Sequence, residues 1–524
     1  MIHGDILGER ARLSPDSTAL ILIPSQRRFT YRELNDRALR CGRLWLEECD
    51  LVKGDRVGIL ARNRVEFLDA FFAAGKTGII LVPLNTRLTP AELSVVLKDS
   101  GMKALMYDGE LAEKVREIKR ESSIRHWIAL DQTAPDQSHD SSDLDYASSV
   151  ARIESSGCAT LACDPCAPED IYCLLYTSGT TGAPKGVMVP HRMVAWNGYN
   201  TAICWQLRSD DVSPVFTPLY HAGGLAAFLV PIFVAGGTIV LHRDFDAREV
   251  WESITRQKCT VVLGVPTIYK MLMEAPEFSE ADLRHVRWFI SGGAPLSVEL
   301  IEAYRARGVI LKQGYGLTEV GVNCFSMSTE EAIRKQGSIG KPMMFSQARL
   351  LASRPSESQG KEVPEDQVGK LCLRGPHVCK GYWNNPTATA AALDRDGWFH
   401  TGDMARCDEE GFFYIVGRSK DMFISGGVNV YPAEIEAELL RSPAVRDAAV
   451  IGVPDAKWGE VGVAFVVPAG SSIPRADELT KFLADKLARY KLPREFIFVD
   501  ALPRTAYGKV VKAELKESYE GRKR

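Results

Sequence analysis

The segment from Ile171 to Gly186 constrains the fold most, because it joins an apolar strand pattern to a loop of small and hydroxylated residues. Ile171-Tyr-Cys-Leu-Leu175 is apolar enough for a buried strand. The loop that follows, Tyr176 to Gly186, reads Tyr-Thr-Ser-Gly-Thr-Thr-Gly-Ala-Pro-Lys-Gly. Glycines let backbone N–H groups approach an anion closely, and hydroxyls and a lysine add further donors. Such a loop at a strand end predicts a phosphate site on a parallel sheet.

This loop differs from a Walker A loop. Lys185 is followed by Gly186 and not by the Ser or Thr that would hold magnesium. Clusters of Gly, Ser and Thr also form ordinary surface turns, which is the alternative interpretation. The lysine and the preceding apolar strand favour nucleotide phosphate over a plain turn.

Length and charge narrow the classes of partner. The 524 residues exceed what one hydrophobic core supports, and 45% hydrophobic with 25% charged residues is typical of a globular protein. Lys and Arg number 64 against 67 Asp and Glu, a net charge of -3. The balance indicates no basic surface for nucleic acid or an anionic membrane, so small-molecule partners are expected.

Targeting signals and cysteine usage favour a cytoplasmic location. Residues Met1 to Asp5 lack the basic and apolar parts of a secretory signal, and the last residues, Gly-Arg-Lys-Arg524, are not a peroxisomal signal. The apolar stretch Leu225 to Ala235 is interrupted by Pro231 and is too short to span a membrane. The 12 cysteines are scattered, which is typical of reduced thiols.

Helical and strand patterns alternate along the first part of the chain. Thr30-Tyr-Arg-Glu33 and Thr89-Pro-Ala-Glu92 read as capping boxes, and Arg56 to Leu60 and Thr238 to Leu241 read as strands. This alternation predicts parallel sheet covered by helices. Residues 131–170 are rich in Ser, Asp and Ala without periodicity and predict an irregular polar connection.

The pattern changes towards the C-terminus, where two further units are predicted. Short β-prone pieces with many Gly and Pro at residues 337–417 predict a small β-barrel-like unit. Residues 421–524 combine helix and strand patterns and predict a compact α+β domain. The predicted fold class is therefore α/β, with a large N-terminal domain of helix-covered mixed sheets at residues 1–418 and a smaller C-terminal domain.

Seven further motifs share the composition of ligand-binding loops. They are Pro218-Leu-Tyr-His-Ala-Gly-Gly224, Ser291-Gly-Gly-Ala-Pro295, Tyr315-Gly-Leu-Thr-Glu319, Thr401-Gly-Asp403, Gly417-Arg-Ser-Lys-Asp421, Ser425-Gly-Gly427 and Pro503-Arg-Thr-Ala-Tyr-Gly-Lys509. Together with the first loop, and in this order, they resemble the adenylate-forming enzymes, a superfamily of acyl- and aryl-CoA synthetases, peptide-synthetase adenylation domains and luciferases. The resemblance covers nearly the whole chain, from about Thr30 to Lys512, in this sequence.

The resemblance implies an ATP-dependent acid:CoA ligase. A carboxylate attacks the α-phosphorus of ATP to give an acyl-adenylate and pyrophosphate, and the thiol of coenzyme A then displaces AMP. ATP, Mg2+ and coenzyme A are the implied cofactors. Two alternatives are an acyl-AMP ligase that loads a carrier-protein thiol and a non-catalytic acyl- or nucleotide-binding sensor. Whether the chain forms a homodimer is left open.

The resemblance also implies roles for the motif residues. Glu319 would hold magnesium and Thr318 the α-phosphate, Asp403 would accept the ribose hydroxyls, and Lys509 would bridge the attacking carboxylate and the α-phosphate. Gly292, Gly293 and Ala294 would form one wall of the adenine site, with Tyr315 stacked on the other face. The full nucleotide set is Thr177, Ser178, Gly179, Thr180, Thr181, Gly182, Lys185, Gly293, Ala294, Pro295, Gln313, Gly314, Tyr315, Gly316, Thr318, Asp403, Arg418 and Lys509.

For the thioester step, the resemblance implies rotation of a mobile C-terminal domain about a hinge at residues 419–420, centred on Lys420. His221 would lie between the acyl pocket and the catalytic centre and gate either the carboxylate or the thiol. The implied catalytic residues are Lys509, His221, Thr318 and Glu319. The implied coenzyme A contacts are Ser425, Gly426, Gly427, Trp458, Tyr490 and Arg494.

The acyl pocket is also predicted by family position. Its walls would be Trp196, Phe216, His221, Gly224, Val265, Thr267, Val320, Val322 and Asn323. Most of these are apolar and none is positively charged, which disfavours a second carboxylate on the acid. A fatty or aromatic acid is therefore expected.

Overall fold

The computed structural model describes residues 5–120, 122–131, 143–155, 161, 163–177, 184–352, 360–426, 428–470, 472–504 and 510–523. Several predicted site residues lie outside these ranges. They are Ser178, Gly179, Thr180, Thr181, Gly182, Gly427 and Lys509.

A seven-stranded sheet carries the phosphate-loop strand. Six of its strands run parallel, and the last pair is antiparallel. In spatial order they are Leu144–Asp145, His126–Ala129, Ala104–Tyr107, Arg56–Leu60, Ile80–Pro83, Ile171–Thr177 and Lys185–Pro190. The predicted strand from Ile171 is confirmed, and it places Thr177 at its carboxyl end.

Two further sheets in the N-terminal part are mainly parallel. A four-stranded sheet has the order Val212–Val215, Thr238–His242, Thr18–Ile23 and Arg28–Thr30, of which the last strand is antiparallel. A three-stranded parallel sheet consists of Val261–Gly264, Trp288–Ser291 and Leu311–Gln313. The predicted alternation of strands and helices is confirmed.

Helices cover these sheets. The α-helices of this part are Ile6–Leu13, Tyr31–Arg43, Val65–Thr77, Pro90–Ser100, Ala112–Lys119, Tyr146–Ser155, His191–Cys204, Ala222–Gly224, Val230–Ala235, Ala247–Arg256, Pro266–Glu274, Glu277–Glu280, Val298–Ala306, Thr329–Arg334 and Pro386–Ala392. The same part contains two short 3-10 turns, Gly109–Leu111 and Thr318–Val320, and two π-turns, Leu44–Glu48 and Leu225–Leu229. Both predicted capping boxes are present, with the Thr30 and Thr89 hydroxyls accepting from Glu33 N–H and Glu92 N–H.

The predicted small β unit is a four-stranded antiparallel sheet. Its strands are Gln347–Leu351, Gly369–Arg374, Phe399–Cys407 and Phe413–Arg418. A separate two-stranded ribbon pairs Phe325–Ser326 with Lys341–Pro342. This unit brings Asp403 and Arg418 to paired positions of neighbouring strands.

The C-terminal part forms its own α+β unit. Its sheet has the order Val428–Val430, Phe423–Ser425, Gly459–Pro468 and Val445–Asp455, with Glu495–Phe498 also paired to Gly459–Pro468. The helices are Pro432–Leu440, Ala476–Ala484 and Lys512–Lys523, and Arg489–Lys491 is a 3-10 turn. Separate hydrophobic clusters lie around Ile435 and around Leu515.

The fold class is confirmed, and one local prediction is wrong. Residues 131–170 contain the short strand Leu144–Asp145 and the helix Tyr146–Ser155. Tyr146 anchors this helix, because its buried hydroxyl donates to Asp69 Oδ2 at 2.9 Å, and Asp69 is also paired with Arg37 at 2.6 Å. Because one contact with a distant segment fixes this helix, the sequence shows no helical periodicity that would predict it. No helix among the described residues is long and apolar enough to cross a membrane.

Candidate active site

Two predicted nucleotide loops leave neighbouring parallel strands at the same edge. Ser291 pairs with Gln313 in the sheet, so Gly292 and Gly314 both begin at the carboxyl ends. Gly314 N–H donates to the Ser291 carbonyl at 2.7 Å, and the Gln313 side-chain oxygen accepts from Leu296 N–H at 3.2 Å. The Ser291–Pro295 and Gln313–Gly316 segments are therefore held side by side where α/β sheets bind ligands.

The glycines of these loops fall into two kinds: some leave open space beside the backbone, and one allows close packing. A Cβ on Gly292 would meet no atom within 4 Å, and one on Gly293 would meet only Val265 Cγ1 at 3.8 Å. Gly293 also has φ +81°, which favours glycine. The space beside these two residues suits a flat ring lying on the backbone. A Cβ on Gly316 would instead lie 2.0 Å from the Val322 carbonyl oxygen, so Gly316 is required by packing.

Tyr315, Asp403 and Arg418 form one hydrogen-bonded unit. The Tyr315 hydroxyl donates to Asp403 Oδ2 at 2.5 Å, and Arg418 Nε lies 2.8 Å from Asp403 Oδ1. Asp403 is 4% exposed. Burial and the charge of Asp403 raise the pKa of Tyr315 well above its usual value, so the phenol remains a donor. The predicted adenine-stacking and ribose-binding residues are thus fixed relative to one another.

The predicted magnesium ligand lies in the turn Thr318–Val320. The hydroxyl of Tyr382 donates to Glu319 Oε1 at 3.0 Å, and the ammonium of Lys185 lies 5.3 Å from the centroid of the Tyr382 ring. Burial and the neighbouring Glu319 raise the pKa of Tyr382. Lys185, predicted for the β- and γ-phosphates, and Glu319 are therefore brought together around one aromatic ring.

The donor set fits a magnesium–triphosphate. Among the described residues, Glu319 forms no ion pair, and its side chain accepts a hydrogen bond from the Tyr382 hydroxyl. This partner is a neutral phenol, so the contact brings no competing cation to the carboxylate. Mg2+ is commonly held by one or two carboxylates together with substrate phosphates.

His221 begins a short helical turn with its side chain folded back. Its Nδ1 accepts from Gly223 N–H at 3.1 Å, which leaves Nε2 as the protonated nitrogen of the neutral ring. A Cβ on Gly224 would lie 2.4 Å from the Pro218 carbonyl oxygen, so glycine is required there for the turn to close. The π-turn Leu225–Leu229 follows directly, a feature that is frequent at functional sites.

The predicted acyl-pocket residues differ in burial and in their contacts. Trp196 is half-buried, with its ring 4.9 Å from Phe345, and Val265 lies beside Gly293. Val320 and Phe216 are instead core residues. Asn323 is buried with its amide donating to Thr201 Oγ1 and the Ala227 carbonyl, Val322 is half-buried and has φ +67°, and Thr267 is exposed. Their roles as pocket walls stay predictions.

Three of the predicted coenzyme A contacts meet on the C-terminal sheet. A Cβ on Gly426, which has φ +57°, would lie 3.0 Å from the Trp458 ring, and Gly426 N–H donates to the Trp458 carbonyl at 2.8 Å. Arg494 lies 3.1 Å from Asp455 Oδ2, and Asp455 Oδ1 accepts from Trp458 N–H at 2.9 Å. Ser425 is buried one residue before Gly426, and Tyr490 is partly exposed.

Sequence reasoning missed Tyr382 and Asp455. Asp455 joins Trp458 to Arg494, and hydrogen bonds from the Trp458 and Lys457 N–H groups lower its pKa. The local sequence around Gly381 and Tyr382 did not indicate a functional site. Their contacts run from the small β unit to two segments that are distant in the sequence.

The predicted hinge lies in an exposed turn. The strand Phe413–Arg418 ends, Asp421 N–H and Met422 N–H both donate to the Arg418 carbonyl at 3.2 Å, and the next strand begins at Phe423. Lys420 is exposed in this turn. The boundary at residues 419–420 stays a prediction.

The chain matches known proteins along nearly its whole length. Residues 7–383 match the family described as AMP-binding enzyme, and residues 434–509 match the AMP-binding enzyme C-terminal domain. The feruloyl-CoA synthase of Amycolatopsis sp is 39% identical over 510 residues, which are 97% of each chain. The chain belongs to the adenylate-forming superfamily, among the AMP-forming acyl-CoA ligases.

Two further relatives support this membership of the acyl-CoA ligases. The long-chain-fatty-acid–CoA ligase FadD13 of Mycobacterium tuberculosis is 37% identical over 522 residues, 98% of each chain. The structure of o-succinylbenzoate CoA synthetase (MenE) from Bacillus subtilis in complex with the acyl-adenylate intermediate OSB-AMP aligns with TM-score 0.83 and 31% identity, covering 98% of both chains. The resemblance stated from the motifs is confirmed.

Proposed function

We propose that this ligase converts a monocarboxylic acid with a fatty or aromatic body into its coenzyme A thioester through an acyl-adenylate. The observation that carries the proposal is a pair of side-chain clusters, one around Asp403 and one around Glu319. Asp403 with Tyr315 and Arg418 suits a nucleoside, and Glu319 with Lys185 suits a metal-bound triphosphate. Together they would orient ATP for attack at its α-phosphorus.

The nucleoside would be recognised by a prearranged acceptor. Asp403 is held by Tyr315 and Arg418, so little side-chain freedom would be lost on binding. A buried carboxylate accepts hydroxyl hydrogen bonds with charge assistance, which makes them stronger than neutral ones. The adenine would lie over Gly292 and Gly293, where no side chain fills the space.

Charge on the phosphates would be neutralised from two sides. Lys185 and Thr177 would contact the β- and γ-phosphates, and Thr318 the α-phosphate. Glu319 would hold Mg2+, which, when bound, neutralises charge on phosphate oxygens in the transition state. Lys509, outside the described residues, is proposed to bridge the attacking carboxylate and the α-phosphate.

The acid would enter beside His221. Trp196 with Phe345 would offer an aromatic wall, and Val265 lies beside Gly293. None of the nine proposed wall residues carries a positive charge, so a second carboxylate would be desolvated without a partner. Feruloyl-CoA synthase and the long-chain-fatty-acid–CoA ligase, aromatic and fatty by name, support the two classes of acid.

Coenzyme A would be the thiol acceptor, and it is consumed as a substrate. The prediction that it is a cofactor is corrected on this point, because the relatives are ligases that take it as a substrate. Trp458, Arg494 and Gly426 would bind it on the C-terminal unit. Small-molecule acid, ATP and coenzyme A are therefore the proposed partners.

A screen of acids would test the proposal. Pyrophosphate release should be measured for fatty, benzoic, cinnamic and dicarboxylic acids, with and without coenzyme A, and the products identified by mass. We expect monocarboxylic fatty or aromatic acids to release pyrophosphate and to form a thioester only with coenzyme A. Release without thioester formation would favour the carrier-protein alternative, and no release with any acid would favour a non-catalytic sensor.

A further inference from the structure

A strip of the small β unit, His377 to Trp383, contacts both the strand Lys185–Pro190 and the turn that carries Glu319. On one side it extends the strand Lys185–Pro190: Lys380 N–H donates to the Met188 carbonyl at 3.0 Å, and Trp383 N–H to the Gly186 carbonyl at 2.7 Å. The strip is therefore attached to the residues that directly follow Lys185.

On its other side the same strip holds the Glu319 turn by its backbone. Cys379 N–H donates to the Glu319 carbonyl at 2.9 Å. His377 Nδ1 lies 2.7 Å from the Val320 carbonyl, which must accept, so Nδ1 carries the proton, while Nε2 accepts from the Ser346 hydroxyl at 2.7 Å. Burial lowers the pKa of His377, which keeps this ring neutral. The turn is thus fixed in position relative to the strip.

Tyr382 is the side chain that connects both functional groups. Its hydroxyl donates to Glu319 Oε1 at 3.0 Å, and its ring lies 5.3 Å below the Lys185 ammonium. Lys185 and Glu319 have opposite charges, but their described contacts are with different parts of Tyr382, the ring for Lys185 and the hydroxyl for Glu319, and not with each other. The cation–ring attraction and the charge-assisted hydrogen bond each fix one group.

We propose that Tyr382 is a positioning residue that holds the Glu319 carboxylate and the Lys185 ammonium apart and in register for a metal-bound triphosphate. The carboxylate oxygen that accepts the phenol is oriented by it, and the second oxygen is thereby aimed for the metal. The proposal rests on the proposed adenylation, and it adds a residue that touches neither the acid nor the reacting phosphorus.

The test is the affinity for Mn2+, as a paramagnetic substitute for Mg2+, in the enzyme–ATP complex without acid. Electron paramagnetic resonance reports the free Mn2+, so no turnover is needed. We expect Tyr382→Phe to weaken Mn2+ binding about tenfold, since a hydrogen bond to a charged group is lost, and to leave the affinity for metal-free ATP within about twofold of wild type. Tyr382→Leu, which also removes the ring, should weaken the binding of metal-free ATP as well.

Tyr414→Phe is the matched control. Tyr414 donates to Asp408 Oδ2 at 3.2 Å and has the Arg406 guanidinium 4.0 Å from its ring centroid, so it makes the same two kinds of contact away from the site. It should bind Mn2+ as wild type does. Equal Mn2+ affinity in Tyr382→Phe and Tyr414→Phe would overturn the proposal.

A double-mutant cycle separates positioning from a general structural role. If Tyr382 acts through Glu319, Tyr382→Phe should change Mn2+ binding little in a Glu319→Gln background. The same tenfold loss in both backgrounds would contradict the proposal. Acid-dependent pyrophosphate exchange by wild type tests the proposed function separately, so failure of either can be told from failure of the other.

Discussion

The residues proposed to bind the nucleotide, in the N-terminal part, and those proposed to bind coenzyme A, in the C-terminal part, are held very differently. Asp403 is 4% exposed and has Tyr315 and Arg418 as partners. Trp458 is 43% exposed, and Arg494 is bound to Asp455 with most of its side chain in solvent. The first group is held in place by buried protein partners, whereas the second would be desolvated only when another surface covers it.

This difference explains how one chain can separate two half-reactions. A preformed nucleotide site can remain bound to its ligand throughout, while an exposed site on a second unit acts only in one arrangement of the two units. The turn at Lys420, between the strands Phe413–Arg418 and Phe423–Ser425, is where such a change would be absorbed.

The largest effect is expected from Lys509→Ala. Loss of the proposed bridging ammonium should slow adenylation by about 10²–10³-fold, measured as acid-dependent pyrophosphate exchange. Thioester formation from supplied acyl-adenylate should stay near wild type. Lys516→Ala, at an exposed position of the helix Lys512–Lys523, is the control. Equal losses in both half-reactions would show that Lys509 has a different role.

Lys420→Pro should affect the two half-reactions in the opposite way to Lys509→Ala. Proline restricts the backbone at the turn, so the thioester step should fall about tenfold or more while pyrophosphate exchange changes little. Lys420→Ala keeps the backbone freedom and serves as the control. Wild-type overall turnover in Lys420→Pro would rule out rotation at this position.

Acid should weaken the N-terminal part through buried His242. Burial lowers the pKa of His242 to about 4, so the folded ring is neutral while the unfolded one, near its usual 6.5, takes up a proton. The stabilisation that the neutral His242 ring contributes is complete above pH 6.5. It is lost as the pH falls towards 4, and the free energy of unfolding falls by about 3 kcal/mol at the limit.

Comparison with His242→Leu isolates this contribution. The pKa of Asp69 is raised to about 6 by burial, which acts in the opposite direction, so both proteins must be compared at each pH. The difference in free energy of unfolding, from urea denaturation at pH 7, 6 and 5, should move in favour of His242→Leu as pH falls. Residues 419–524 contain no histidine, so no such effect is expected there. A pH-independent difference would contradict this account.

The smallest effect is expected from Trp458→Ala. Because the ring is partly exposed, its removal should raise the KM for coenzyme A about three- to tenfold and leave stability nearly unchanged. Ile473→Ala, at another exposed apolar position of the same unit, should leave KM unchanged. An unchanged KM in Trp458→Ala would remove it from the coenzyme A site.

The sequence predicts best what is decided locally. The capping boxes at Thr30 and Thr89 and the strand at Arg56–Leu60 depend on neighbouring residues, and all three are confirmed. The helix at Tyr146 and the role of Tyr382 depend on contacts with distant segments, and neither was predicted. Short motifs predict the nucleotide residues, but they do not show which side chains orient them.

The most direct test compares Lys185→Met with Trp458→Ala in both half-reactions, because Lys185 would contact only the departing phosphates and Trp458 only coenzyme A. The account predicts that Lys185→Met slows pyrophosphate exchange and spares thioester formation from supplied acyl-adenylate. It predicts that Trp458→Ala spares pyrophosphate exchange and slows thioester formation at coenzyme A concentrations below the KM. Loss of the same half-reaction in both variants would contradict the assignment of the two steps to two separately held sites.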